Sequence, residues 1–151
     1  MFNIGDYVVY KREVCKICDY KKKFIGDKDY YSLIPVMDKS LKIEVPVNSD
    51  FIRSIIDKNT ANEIIDNIVN IDVININDKL IESEYKRLLH DGGYEGIIKI
   101  IKTTYLRNNE RINNKKKISE KYLYSEFAIA LGISYDDVKD YVIKRIEEKN
   151  K

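Results

Sequence analysis

No stretch of this chain approaches the roughly 20 consecutive apolar residues needed to cross a bilayer. The start, Met1-Phe2-Asn3-Ile4-Gly5-Asp6, has no basic patch leading into an apolar run, so no secretory signal is expected. A soluble, cytoplasmic protein without membrane contact is therefore the default expectation. The chain has one histidine, His90, and two cysteines. That is too few for a zinc site of paired ligands, because Cys15 and Cys18 would need two further partners. No GxxxxGK[ST], GxGxxG, HExxH or GxSxG occurs to cradle phosphate, hold metal or present a nucleophile. His90 falls near the end of an expected helix, where a surface or C-cap role outweighs that of a catalytic base. No catalytic residue, cofactor, metal or small-molecule substrate is expected, and a binding module is the better reading of so small a chain. The net charge of +2 names no partner.

What is present suffices for a packed core. Of 151 residues, 44% are hydrophobic and 34% charged, which is not a disordered composition. The pattern changes character near residue 50. Before it, residues 7–10, 14–20, 30–36 and 41–45 are β-branched, aromatic or alternating, as half-buried strands are. Residues 21–29 carry Gly26 and several charges, as a hairpin connection does, and Pro46 ends or edges the last strand. Strands this short and numerous suggest a small, strongly bent barrel of the SH3 or Tudor kind. Cys15 and Cys18 fall on the second strand, which favours plain strand residues over a redox dithiol or a metal pair.

After residue 50 the period lengthens to that of helices. Ile64, Ile65, Ile68 and Ile71 share one face, with Asn59 or Thr60 as N-cap. Asn77 opens a helix to His90 that buries Leu80, Ile81, Tyr85, Leu88 and Leu89, stopped by Gly92-Gly93. A third helix spans about 94–112, with Ile97, Ile98, Ile101, Tyr105 and Leu106 inward. Ser119 caps a fourth that buries Leu123, Phe127, Ala130 and Leu131 and ends at Gly132. Ser134 opens a fifth. The fold class is thus α+β: residues 1–50 a small barrel, residues 51–151 a helical domain of four to five helices.

Charge sorts along the second half. Residues 57–98 hold four Lys/Arg against nine Asp/Glu, a balance of −5, whereas residues 99–121 reach +6. Such a basic stripe is either a solvated helix face or a surface for nucleic-acid phosphates. Lys99, Lys102, Lys115, Lys116 and Lys117 are its candidate phosphate contacts.

The segments Phe2-x-Ile4-Gly5-Asp6-Tyr7-Val8-Val9-Tyr10, Tyr30-Tyr31-x-Leu33 and Leu41-Lys42-Ile43-Glu44-Val45-Pro46-Val47 resemble the N-terminal module of the CarD/CdnL family. Glu84-Tyr85-Lys86-x-Leu88 and Tyr122-Leu123-x-Ser125-Glu126-Phe127-Ala128-Ile129-Ala130-Leu131 are similar to its helical half, so the resemblance covers nearly the whole chain. The family comprises bacterial transcription regulators. The resemblance implies a Tudor-like barrel binding the RNA polymerase β subunit, here through Lys21, Ile43 and Glu44. It also implies a helical domain that contacts promoter DNA at the upstream edge of the bubble and stabilises the open complex. Lys11-Arg12-Glu13-Val14 stands where the family has a Pro-then-Gly turn, and Glu44 where it often has a basic residue. Ile81 takes the place of the family's tryptophan wedge, flanked by Lys86 and Arg87 as phosphate contacts. The alternative is a protein-only adaptor whose barrel binds polymerase without significant DNA contact.

Overall fold

The computed structural model describes residues 2–109 and 120–149. The chain divides into two compact units, Met1–Ile56 and Asp57–Lys151.

In the first unit, β1 (Tyr7–Tyr10), β2 (Glu13–Ile25), β3 (Lys28–Pro35), β4 (Ile43–Pro46) and β5 (Ile52–Ser54) form one antiparallel sheet in the order β4-β3-β2-β1-β5. Side chains alternate across a strand, and the inward set is Val8, Cys15, Ile17, Tyr31, Leu33 and Val45. Phe2, Tyr10, Ile43, Val47 and Ile52 pack around it. Complete burial of residues such as Val8, Ile17 and Leu33 contributes about 1.5–3 kcal/mol each.

Three expectations about this half change. Residues 21–29 are not a free loop: β2 runs on to Ile25, and only Gly26 and Asp27 turn. Gly26 adopts φ +62°, which a two-residue hairpin loop requires at its first position. Both faces of this extension are largely exposed, so no period of two marks it in the sequence. The strand expected from residue 41 begins at Ile43, and Leu41 is exposed. The boundary expected at residue 50 falls one strand short, because Ile52–Ser54 pairs with β1. Three residues, two of them exposed, are too few to show alternation.

Cys15 is fully buried, and Cys18 sits where the β2–β3 register shifts between Ile17 and Asp19. Both are free thiols. Burial, helped by the Glu13 charge, pushes the Cys15 thiol up to about 11, which keeps it protonated and unreactive at neutral pH.

The second unit contains α1 (Lys58–Asp66), a 3₁₀ turn (Asn67–Asn70), α2 (Asp78–Asp91), α3 (Gly93–Asn109), α4 (Glu120–Leu131) and α5 (Tyr135–Lys149). The α1 cap is Asp57 rather than Asn59 or Thr60: its carboxylate accepts from the Thr60 amide at 2.7 Å. Asn77 caps α2 through the Lys79 amide at 3.0 Å, and Ser134 Oγ accepts from the Asp137 amide at 3.0 Å to open α5. Ser119, the expected cap of α4, lies outside the described residues.

The core draws on every helix: Ala61 and Ile65, Tyr85 and Leu88, Ile98 and Ile101, Leu123 and Phe127, Val138, Val142 and Ile146. Between α2 and α3 the backbones nearly touch. A Cβ at Gly96 would lie 2.7 Å from the Leu88 carbonyl oxygen, so only glycine fits there. Leu80, expected inward, is 55% exposed, while Ile100, Lys102 and Thr103 are buried. The third helix is covered on more of its circumference than a single apolar stripe implies. Among the described residues no helix is long and apolar enough to cross a membrane.

Candidate functional site

On the sheet, Lys21 and Glu44 meet. Ser32 stands opposite Glu44 in the β3–β4 register, and Lys21 stands opposite Tyr30 in the β2–β3 register. The Lys21 ammonium lies 3.1 Å from Glu44 Oε1, while Ser32 Oγ donates to Glu44 Oε2 at 2.6 Å. Burial raises the Glu44 carboxyl, but the hydrogen bonds from Ser32 and Lys21, with the Lys21 and Lys42 charges, outweigh it and hold the group below its ordinary range. Ile43 does not join them. It pairs with Leu33 and packs against the core, because adjacent residues of a strand face opposite ways. Of the three proposed polymerase contacts, two thus share a face and the third lies behind it.

Lys21 has a second neighbour. Its ammonium sits 4.5 Å over the Phe24 ring, which meets Tyr30 edge-on at 5.4 Å between centroids. No sequence pattern marked this cluster, because Phe24 lies in the stretch that reads as loop.

On α2, Ile81 is half-buried on the face that carries Tyr85 and Leu88, four and seven residues on. At 3.6 residues per turn, Lys86 and Arg87 project about 140° and 120° from Ile81, to either side. All three are therefore not gathered into one grip. Arg87 forks Glu84 through Nε at 2.8 Å and an NH2 nitrogen at 2.6 Å. That hydrogen-bonded pairing holds the Glu84 carboxyl low, helped by the charges of Arg87 and Lys99. Lys86 is exposed. The exposed apolar residue of this turn is Leu80, next to the expected wedge.

The basic stripe is largely engaged where the structure describes it. Lys102 is not a phosphate contact. It is 6% exposed, and its ammonium donates to the Ile68 and Ile71 carbonyls at 2.8 and 2.7 Å. The signal was available: Lys102 follows Ile98 by four residues, so it falls on the buried face. Arg107 bonds Asp78 and the Ile74 and Ile76 carbonyls, bracing the segment before α2. Lys99 is half-buried near Glu84. Lys115, Lys116 and Lys117 lie outside the described residues.

Among the described residues no group of three or more His, Cys, Asp or Glu could hold a metal ion. His90 pairs with Asp91 at 2.6 Å in the open. What the described residues offer is surface: a sheet with the Lys21–Glu44 pair and an aromatic hairpin, and a helical unit in which Arg87, Lys102 and Arg107 bond within the unit. In comparisons with known proteins, no family model and no curated protein matches this chain.

Proposed function

We propose that this chain is a CarD-like transcription regulator whose sheet unit binds the RNA polymerase β subunit. The observation that carries the reading is the strand order β4-β3-β2-β1-β5 followed by five helices. A four-stranded meander whose fifth strand returns to β1 is the connectivity of small SH3- and Tudor-like barrels, and a helical domain follows it in the family that the sequence motifs resemble. Among the described residues β4 and β5 each pair on one side only, and in this reading they are the edges on which a partner strand adds. Glu44 lies on the edge strand β4 and is paired with Lys21 of β2, which reaches it across β3.

Contact with promoter DNA at the upstream edge of the bubble, stabilising the open complex, is the second half of the proposal. It rests on Lys86, Leu80 and the 115–117 lysines. The engagement of Lys102, Arg87 and Arg107 within the unit favours a second reading, a protein-only adaptor that holds polymerase without significant DNA contact.

Calorimetric titration of the whole chain into an isolated β-subunit fragment tests the first half. Binding in the micromolar range is expected. No heat at tens of micromolar removes the polymerase reading. Open-complex lifetimes with the parent and with Lys86→Gln then separate regulator from adaptor, because a DNA contact makes the lifetime depend on that side chain.

A further inference from the structure

We infer that the β2–β3 hairpin is a binding finger for single-stranded nucleic acid, separate from any contact made by the helical unit and independent of the polymerase reading.

The hairpin outruns its sheet. β1 covers β2 only from Glu13 to Lys16, and β4 covers β3 only from Tyr30 to Leu33. Residues 22–28 therefore have no strand on either flank. This extension carries Lys22, Lys23 and Lys28 against Asp27. Asp29, at its base, is occupied by the Tyr20 hydroxyl and by the Lys23 amide at 2.9 Å. The Asp29–Lys23 bond fixes the irregular stretch between Lys21 and Ile25, where Lys23 adopts φ +49°. The finger is thus braced rather than loose.

Its apolar residues have no core to fill. Phe24 is 44% and Ile25 58% exposed, two neighbouring apolar side chains beyond the reach of β1 and β4. The edge-on contact with Tyr30 and the Lys21 ammonium overhead hold the Phe24 ring in place. A fixed aromatic ring among lysines, on a two-stranded ribbon, suits a partner that is both polyanionic and flat. Unpaired bases supply π faces to stack on, and their backbone supplies phosphates. A duplex keeps its bases stacked inside, and an acidic peptide carries a planar group only where it has an aromatic residue, not at every unit of its chain. Charge and ring together select the single strand.

The test is fluorescence anisotropy of the full chain with labelled dT12, U12 and a 12-base-pair duplex across a salt series, beside sedimentation with phosphatidylglycerol vesicles. Binding of dT12 or U12 is expected, with a salt slope near −2 for three phosphates; the ratio of the two distinguishes DNA from RNA. Lys22→Gln with Lys23→Asn should lower that slope by about 1.4. Phe24→Ala should weaken single-strand binding about 5- to 100-fold, the loss of one stacked base. Phe24→Leu keeps apolar bulk without the ring, so it should weaken binding too while melting like the parent. Oligonucleotide binding unchanged in the lysine variant or in a well-folded Phe24→Leu protein overturns the inference. So does absence of single-strand binding at tens of micromolar in 50 mM salt, or capture by vesicles without capture by oligonucleotide.

Discussion

The Lys102 ammonium of α3 closes on the Ile71 carbonyl at 2.7 Å, and on the Ile68 carbonyl at 2.8 Å. A cation from the middle of one helix thereby completes the end of the 3₁₀ turn that follows α1: it joins the Ile71 amide on the Ile68 carbonyl and supplies a donor to the Ile71 carbonyl. A lysine that reads in sequence as part of a phosphate-binding stripe is instead an internal cap.

That placement gives the first prediction. Lys102→Met keeps the stem's packing but takes the donor from the Ile71 carbonyl and leaves the Ile68 carbonyl with the Ile71 amide, and a hydrogen bond lost to a buried group costs about 1–3 kcal/mol. Urea melts should show a loss of that order. If the helical unit binds duplex DNA, the salt slope of that binding should not change. An unaltered midpoint, or a slope reduced by about one unit, would return Lys102 to the surface.

The second prediction concerns pH and the Lys21–Glu44–Ser32 group. The Glu44 carboxyl is held below its unfolded value, so its protonation is linked to unfolding. A lowered carboxylate contributes stability that is complete above the unfolded pKa, near 4.3, and is lost as pH falls through the folded one. Both side chains are about a quarter exposed, so the contribution is modest, about 0.5–1 kcal/mol. Glu44→Gln should melt lower than the parent at pH 7, and the gap should close below about pH 4. A gap that does not narrow at all as pH falls below about 4.3 would mean that shape, not charge, explains the loss.

The third prediction follows from the β1–β2 turn. Lys11 and Arg12 both lie in the left-handed region, at φ +48° and +74°, which costs an ordinary side chain about 1–2 kcal/mol. Such a hairpin turn strongly prefers glycine at its second position. Lys11 gains something back, with its ammonium 5.4 Å over Tyr10 and 5.1 Å over Phe51. Arg12→Gly should therefore raise stability by about 1 kcal/mol, whereas Lys11→Gly should gain less. No gain from Arg12→Gly would show that the left-handed backbone there is not strained.

How much of this was legible in the sequence differs by element. Helices α2 and α5 were, because Asn77 and Ser134 announce their starts and apolar residues recur at three and four. β1 and β3 were, because Tyr7-Val8-Val9-Tyr10 and Tyr30-Tyr31-Ser32-Leu33 cannot sit comfortably in anything but a sheet. The far end of β2 was not: four exposed residues running from Lys22 to Ile25 carry no alternation, and pairing within the hairpin overrides their loop-like composition. Lys102 was legible by its position four residues after Ile98, though its charge reads as surface. The Lys21–Glu44 pair could not be found from spacing at all, since it spans 23 positions and depends on the β2–β3–β4 register.

The last prediction separates Leu80 from Ile81. Family resemblance puts a DNA wedge at Ile81, yet Ile81 lies on the α2 face that carries Tyr85 and Leu88 and is half-buried there. Leu80, one position earlier, is 55% exposed. Being next to the Asn77 cap and the Asp78 start of α2, it stands at a helix tip, where an apolar side chain can reach an opened base step. Ile81→Ala should lower stability by about 1–2 kcal/mol, less than a fully buried isoleucine loses. Leu80→Ala should leave the melt within about 0.5 kcal/mol of the parent, as surface changes do. On a polymerase–promoter complex, Leu80→Ala should shorten the open-state lifetime and Leu80→Trp should lengthen it by offering a larger stacking face. Lifetimes insensitive to both Leu80 variants, with melts unchanged, would take the wedge out of the mechanism and leave the protein-only adaptor as the reading of the helical unit.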